Sequence, residues 1–499
     1  MPVFQTPLRG RLELLDELFH RYIDQMRSLQ SLGVAALAAA AAATSNPPTS
    51  PSSYHNNAGV LQHVDPRIGT SGVTPNGNGG MIPSVSPPFG MTRWTPQTRE
   101  NFISQCPYND LDQYIHGFQA THQPAIWMGE SGQVVLVPGV GEVKPLFEER
   151  AHWFVKGEER STPYVYEVEI EAETVAAGLE WTESLFSPVP GGGQVVPEEV
   201  KEGANGRVRR DEEGGVDEMF PRIDLQDRSD RHEHREESGK IKVAMTASSH
   251  VGHLRFDFPQ GQLDEPNVFI QATRQNWTGA ITIDPESQEV HGSNPQRQDY
   301  ALGPYRAPGF SGYFVSRFSV PFISYGIAHG NETKENAKTG TGEHLGAWVK
   351  FPPSCNRVEV RTGVSFVSIE QARRNLDIEA PALTSFNDAV ETLKEAWLEK
   401  LGRVKIEGVN ETDAAHDQKS IFYTGLFHGL QYPSDFSEPL ETVHGGRRTW
   451  YEGYTDQIRE DEDSYYQSWS IWVLPLAHTL KMITSLTIHR IPSAPSTVS

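Results

Sequence analysis

Carboxylates and aromatic rings are the groups in this sequence best placed to do chemistry. Asp110, Asp112 and Glu130 fall in its first third, while Glu452, Asp456 and the Glu460–Asp463 run fall near its end. Paired carboxylates beside aromatic walls are what glycosidic-bond hydrolysis requires: one protonates the leaving oxygen, the other activates water or attacks carbon. The first group is interleaved with Trp94, Tyr108, Tyr114, His116, Phe118, His122 and Trp127, all between Val64 and Val140. Glycine and proline are too dense there for a long helix or an uninterrupted strand. Two readings stay open. Tight turns could present the rings as a binding wall for the apolar faces of sugars, or the rings could be the core of a glycine-rich sandwich edge. His116 and His122 read equally as ligands or acids and as hydrogen-bonded structural histidines. His232 and His234 lie in a charged run and read as solvated.

Other chemistries lose support. There is no GxSxG elbow, P-loop, HExxH or dinucleotide-binding fingerprint. A net charge of −22, from 43 basic and 65 acidic residues, argues against nucleic acid or an anionic membrane as the main partner. Cys106 and Cys355 allow at most one disulfide, lack zinc-site spacing and show no Cys/His nucleophile context.

The elements that must position these groups change character along the chain. At 499 residues two or more domains are expected. Residues 1–57 read as a disordered N-terminus. Within it, residues 2–25 have amphipathic spacing, and 26–43 outline a secretory signal peptide if translation starts at Met26. An alanine-rich helix or linker in a cytosolic protein is the alternative. The apolar run is too short to span a bilayer. Sequons at Asn276, Asn331 and Asn410 are compatible with secretion. Residues 58–368 carry short β-rich runs at Val134–Val137, Tyr164–Ile170, His253–Phe258, Val268–Ala272, Tyr313–Val320 and Val358–Phe366. These predict an antiparallel β-sandwich. A Glu/Asp/Arg/Gly-rich insertion over 197–240 reads as disordered. The period then becomes helical. Ile369–Asp377 and the segment capped by Thr384 and stopped at Gly402 form a predicted helical linker over 369–403. A strand-like turn over Val404–Ile406, a helix from Asp413 and another from Tyr465 open an all-helical domain over 404–472.

Several ordered motifs resemble one family. VDPRIGTSG, GNGGMIPSVSPPFGMTRWTPQT, YIHGFQATHQ and SGQVVLVPG are similar to the N-terminal signature of family-92 glycoside hydrolases. VSFVSIEQARRNL, AWLEKLGRVKIEG, IFYTGLFHGLQYPSDFSE and YTDQIREDEDSYYQSWSIW follow in the same order. The resemblance runs from Val64 to Trp472. It implies calcium-dependent, inverting exo-α-mannosidases acting on α-mannoside glycans. It also implies an α+β architecture: an N-terminal supersandwich, a helical linker and an (α/α)6 toroid with the site between domains. Phe89, Gly90, Arg93, Trp94 and His122 would help form the sugar-binding wall. After Trp472 the residues Val473-Leu474-Pro475 depart from the family pattern, and 473–499 carries none of it. The toroid is therefore expected to be incomplete, with apolar faces around Phe422, Leu426, Trp469 and Trp472 uncovered. The catalytic carboxylates and most calcium ligands are expected beyond Trp472, so no catalytic residue and no metal ligand is assigned. Two alternatives accompany the mannosidase: a non-catalytic mannoside-binding module and an amidase acting on the glycan–asparagine link.

Overall fold

The computed structural model describes residues 55–72, 80–103, 105–123, 128–175, 239–261, 264–298, 307–406, 413–441 and 446–467. The expectations for the leader at 26–43, for Trp127, His232, His234 and Asn410, and for everything from Ser468 onward fall outside them.

Two antiparallel sheets build the N-terminal part. The first is ordered β1 (Arg93–Gln97), β3 (Gly117–Thr121), β4 (Val134–Val140), β10 (Pro266–Gln271), β17 (Leu345–Lys350), β14 (Ser324–His329), β15 (Glu332–Glu335). The second is ordered β16 (Thr339–Gly342), β11 (Gly279–Asp284), β12 (Glu289–Asn294), β13 (Gly312–Phe318), β18 (Arg357–Ser365), β9 (Val251–Asp257), β8 (Lys240–Ala247), β7 (Tyr166–Val175), β5 (Ala151–Phe154), β2 (Tyr114–Ile115). A two-residue strand, β6 (Arg160–Ser161), pairs with β7. All six predicted strand runs fall in these sheets. The physical reason is visible in β11, where Gly279, Ile281 and Ile283 turn inward and Ala280, Thr282 and Asp284 outward, the period-2 alternation of a half-buried strand. Central β10 is buried throughout, with Val268, Phe269 and Ile270 together. Burying each such side chain contributes roughly 1.5–3 kcal/mol.

Three helices follow: α1 (Ile369–Glu379), α2 (Phe386–Leu401) and α3 (Asp413–Gly429). Ser385, not Thr384, caps α2; its side chain accepts from Asp388 N while the Asp388 carboxylate returns to the Ser385 backbone. That reciprocal capping box satisfies two end donors at once, which a lone threonine one residue earlier cannot do. Gly402 is the C-cap, as the sequence predicts. Trp397 of α2 is wholly buried, donates from Nε1 to Ser86 O at 2.8 Å and packs on Phe427 of α3. It ties both helices to the Pro/Gly-rich loop of the sandwich. Arg373 of α1 and Arg317 of β13 both bind Glu289 of β12, at 2.6 and 3.1 Å. Burial works to raise the Glu289 carboxyl, but hydrogen bonds from His291, Arg373 and Arg317 outweigh it and hold it at about 2.

Several expectations need correction. His55–Asn57, predicted as disordered, begin a 3₁₀ helix over His55–His63. Lys240 belongs to β8, so the charged insertion stops short of it. Val404–Ile406 forms no strand; Val404 closes a turn on Leu401 and accepts from the Tyr423 hydroxyl. The helix predicted from Tyr465 is absent over the described residues. Tyr466–Gln467 is a strand, β23, paired with β19 (Ser434–Asp435). Between them β20 (Glu438–Pro439), β21 (Arg448–Glu452) and β22 (Gln457–Asp461) make a small antiparallel sheet. The described residues of 404–467 therefore form one helix followed by five short strands, not helix throughout. Leu426 is buried, whereas Ile421 and Phe422 of α3 are exposed. Among the described residues, no helix is long and apolar enough to cross a membrane.

Candidate functional site

The chain brings two of the predicted wall residues into one cleft. It is lined by Met91, Arg93 and His122 from the sandwich and by Tyr432, Ser434, Phe436 and Gln467 from the C-terminal segment. The backbone of Phe89 stitches these two sides together. Its N–H donates to Leu430 O at 2.8 Å, and its carbonyl accepts from Asp435 N at 2.7 Å. Phe89 does so at φ +61°, a left-handed conformation costly for a bulky residue and held here by both bonds. Gly90 follows because a Cβ there would lie 2.3 Å from Ser86 Oγ. Phe89 and Gly90 thus shape the turn beside the cleft rather than line it.

Arg93 is half-buried and bound by neutral groups. It donates to Gln123 O and to Gln431 Oε1, and stands over the Tyr432 ring at 4.9 Å. The Tyr432 hydroxyl donates to the same Gln123 carbonyl at 3.2 Å. His122 is spoken for. Its Nδ1 lies 2.7 Å from Ser131 O and its Nε2 2.9 Å from Thr92 Oγ1. Burial keeps the ring pKa below its ordinary value, with Glu130 and Ser131 opposing. The neutral ring therefore donates from Nδ1 to the carbonyl and accepts from the threonine, leaving only its edge to the cleft. Gln467 is the opposite case. Its side chain is buried in the lining, yet both Oε1 and Nε2 lack a partner among the described residues.

Trp94 is corrected outright. Its ring is wholly enclosed in the sandwich core, against Gly252 of β9, where a Cβ would meet Cε2 at 2.1 Å. No face remains for a sugar to stack on. Tyr108 and Phe118 are equally buried, and His116 stacks on Phe147 at 3.8 Å with Nδ1 2.7 Å from Phe147 O. Burial pushes His116 down to about 3. For these rings the core reading holds.

The candidate carboxylates do not assemble. Glu130 accepts from Asn101, Gln119, Thr121 and the backbone N–H groups of His122 and Ser131, at 2.5–2.9 Å. Five donors fill its lone pairs and make it a structural hub. Asp112 holds Arg99 through both oxygens, and Asp110 faces Lys156 at 3.6 Å. Glu452 pairs with Arg459, Asp456 accepts from Gly309 N and the Tyr451 hydroxyl, and Glu460 pairs with Arg447. None of them lines the cleft. Cys106 and Cys355 are both free. The sequence reading missed Tyr432, Ser434, Phe436 and Gln467. Their signal was present in the quoted motifs, QYPSDF and SYYQS, but nothing in those words says which side chains face a cleft.

Comparisons with known proteins extend this geometry. Residues 63–365 match the glycosyl hydrolase family 92 N-terminal domain, and residues 371–478 match the family 92 catalytic domain. The fold is similar to that of the inverting mannosidase BT2199 of Bacteroides thetaiotaomicron: TM-score 0.60, 24% identity, covering 82% of this chain and 44% of that one. It is also similar to the family 92 glycosyl hydrolase ccman5, with TM-score 0.57 and 19% identity over 83% of this chain and 45% of that one. The α-mannosidase BT3965 of B. thetaiotaomicron, solved with mannoimidazole, gives TM-score 0.54 and 17% identity over 82% and 44%. An uncharacterised secreted glycosidase of Arthroderma benhamiae is 27% identical over 218 residues, 40% of this chain and 27% of that protein. The chain thus spans less than half the length of these relatives. With one family's two domains matched in order on a sandwich followed by helices, the chain belongs to glycosyl hydrolase family 92.

Proposed function

We propose that the Arg93–Gln467 cleft is the sandwich's share of a mannoside site in an exo-acting, inverting α-mannosidase of N-glycans or mannan. The observation that carries this is the buried Gln467 amide, without a hydrogen-bond partner among the described residues, in one lining with Arg93 and Tyr432. A planar amide and a guanidinium offer donors and an acceptor to sugar hydroxyls, which both give and take hydrogen bonds. The sugar itself is suggested by the relatives, one an inverting mannosidase and one an α-mannosidase with mannoimidazole bound. Inversion needs an acid and a base about 6.5–9.5 Å apart with water between them. Among the described residues the cleft lining holds no carboxylate, so in this reading these residues bind and orient the mannoside. On this reading the acid and base come from parts of an (α/α)6 toroid other than this lining. Calcium takes six to eight oxygen ligands, carboxylates among them. The described residues gather no group of three His, Cys, Asp or Glu, and do not by themselves fit a calcium site. Secretion through the Met26 leader accompanies the proposal, with N-glycans on Asn276 and Asn331, both exposed and in turns.

A carboxylate-free cleft equally favours a non-catalytic mannoside-binding module. The amidase alternative loses ground, because burial pushes the Cys106 thiol up to about 11 and leaves no thiolate nucleophile at neutral pH. Calorimetric titration with methyl α-mannoside tests the cleft. Wild type is expected to bind, and Arg93→Ala and Gln467→Ala each to weaken binding at least tenfold; equal binding by all three overturns the site. Mannose release from an α-mannoside by the purified chain would overturn the assignment of binding without catalysis.

A further inference from the structure

A second cavity, of about 140 Å³, shares no lining residue with the first. It opens where β4 and β10 of one sheet approach β5 and β7 of the other. Its floor includes Arg150, His152 and Asn267, all buried, beside the ring of Phe269.

Arg150 is the unusual group. Its Nη2 donates to Gln271 Oε1 at 2.5 Å and to Gln97 Oε1 at 3.3 Å, and its Nη1 to Pro145 O at 3.4 Å. Every acceptor is neutral. Among the described residues Nε has no hydrogen-bond partner and no carboxylate stands within ion-pair distance. Rings of Phe147 and Phe269 flank the guanidinium at 5.6 and 5.8 Å. A buried charge without a counter-ion is costly, and in a low-dielectric floor its field reaches into the adjoining cavity nearly unscreened. Burial pulls the Arg150 pKa down to about 10, against the longer-range attraction of Glu100 and Glu148. The other floor groups do not answer this charge. His152 donates from Nδ1 to Glu171 O at 2.7 Å and is held neutral by burial, at about 4. The Asn267 amide lies over Gly139, where a Cβ would stand 2.9 Å from Oδ1, and donates to Gly141 O. At the rim, Lys144 already pairs with Glu142, while Glu173 faces solvent and is screened by it.

We infer that this cavity binds a small oxyanion, a carboxylate or a phosphate, for which Arg150 supplies the missing charge. The site is independent of the mannoside cleft, and its failure would leave that reading untouched. The test is calorimetric titration of the full chain with inorganic phosphate and with acetate at constant ionic strength. Wild type is expected to bind at least one of them saturably; phosphate alone identifies a phosphoryl ligand, acetate alone a carboxylate. Asn267→Asp sets a carboxylate of nearly the same shape in the cavity. It is expected to weaken anion binding at least tenfold, because the new carboxylate repels an anion within the cavity that both residues line. Arg150→Gln should also abolish binding. No saturable binding of either anion by folded wild type, or equal binding by wild type and Asn267→Asp, would overturn the assignment.

Discussion

Glu130 and Glu460 both look like candidate acids in the sequence, yet they occupy opposite environments. Glu130 lies just ahead of β4 with no exposed surface and five donors on its two oxygens. Glu460 lies on β22, every residue of which is exposed, and meets only Arg447. Glu289 stands between them, buried but clasped by two arginines that join α1 to the sandwich. Closure of the polar shell separates these roles. A carboxylate whose lone pairs are all filled holds structure and has nothing left for a substrate, whereas a solvated one is free but unfocused. The cleft follows the same logic from the other side: Gln467, whose polar atoms are unmatched, is the informative residue there.

An isosteric Glu→Gln series tests this ordering. Glu130→Gln turns an amide nitrogen toward groups that are themselves donors and should cost about 3–5 kcal/mol in urea unfolding at pH 7. A loss under about 1 kcal/mol would break the comparison. Glu289→Gln should cost about 2 kcal/mol under the same conditions, a figure reduced for partial solvent screening. Its pH signature is specific. The folded pKa of about 2 lies below the ordinary 4.5. The stabilisation is therefore fully present above pH 4.5 and is lost as pH falls from there toward 2. The variant's stability should lie parallel to wild type above that window and converge with it inside; a constant gap down to pH 2 would remove the ion-pair account. Glu460→Gln should shift stability by less than about 0.5 kcal/mol and respond to salt; a loss above 1 kcal/mol would place this hairpin among the closed networks.

Much of the sandwich was legible because alternation reports burial directly. β11 carries its period in the residues themselves, while β4 and β10 read as short apolar, β-branched runs of buried strands. The helical linker was legible through its caps, with a one-residue error at Ser385 that only the reciprocal Asp388 contact resolves. The short strands β19 to β23 were not. Two residues such as Ser434–Asp435 or Tyr466–Gln467 carry no period, and the aromatic run at Tyr465 is as compatible with a helix as with a paired edge. Trp94 failed for another reason: an aromatic ring's type states its apolar area and not which surface covers it. Gly252 covers it, from a strand more than 150 residues later in the chain.

The sequence by itself determined the family, the β-rich sandwich and the helices that follow it, and which polar and aromatic groups were available, since these reside in local pattern and motif. Tertiary structure alone decided which of those groups are closed and which are open. Glu130 was sealed by donors that β3, the Asn101 loop and its own neighbours turn toward it, and Trp94 by Gly252 of a distant strand, while Arg93 and Gln467, 374 positions apart, were brought to one cleft. The reason is physical: burial and hydrogen-bond satisfaction are sums over neighbours in space, and only folding chooses those neighbours.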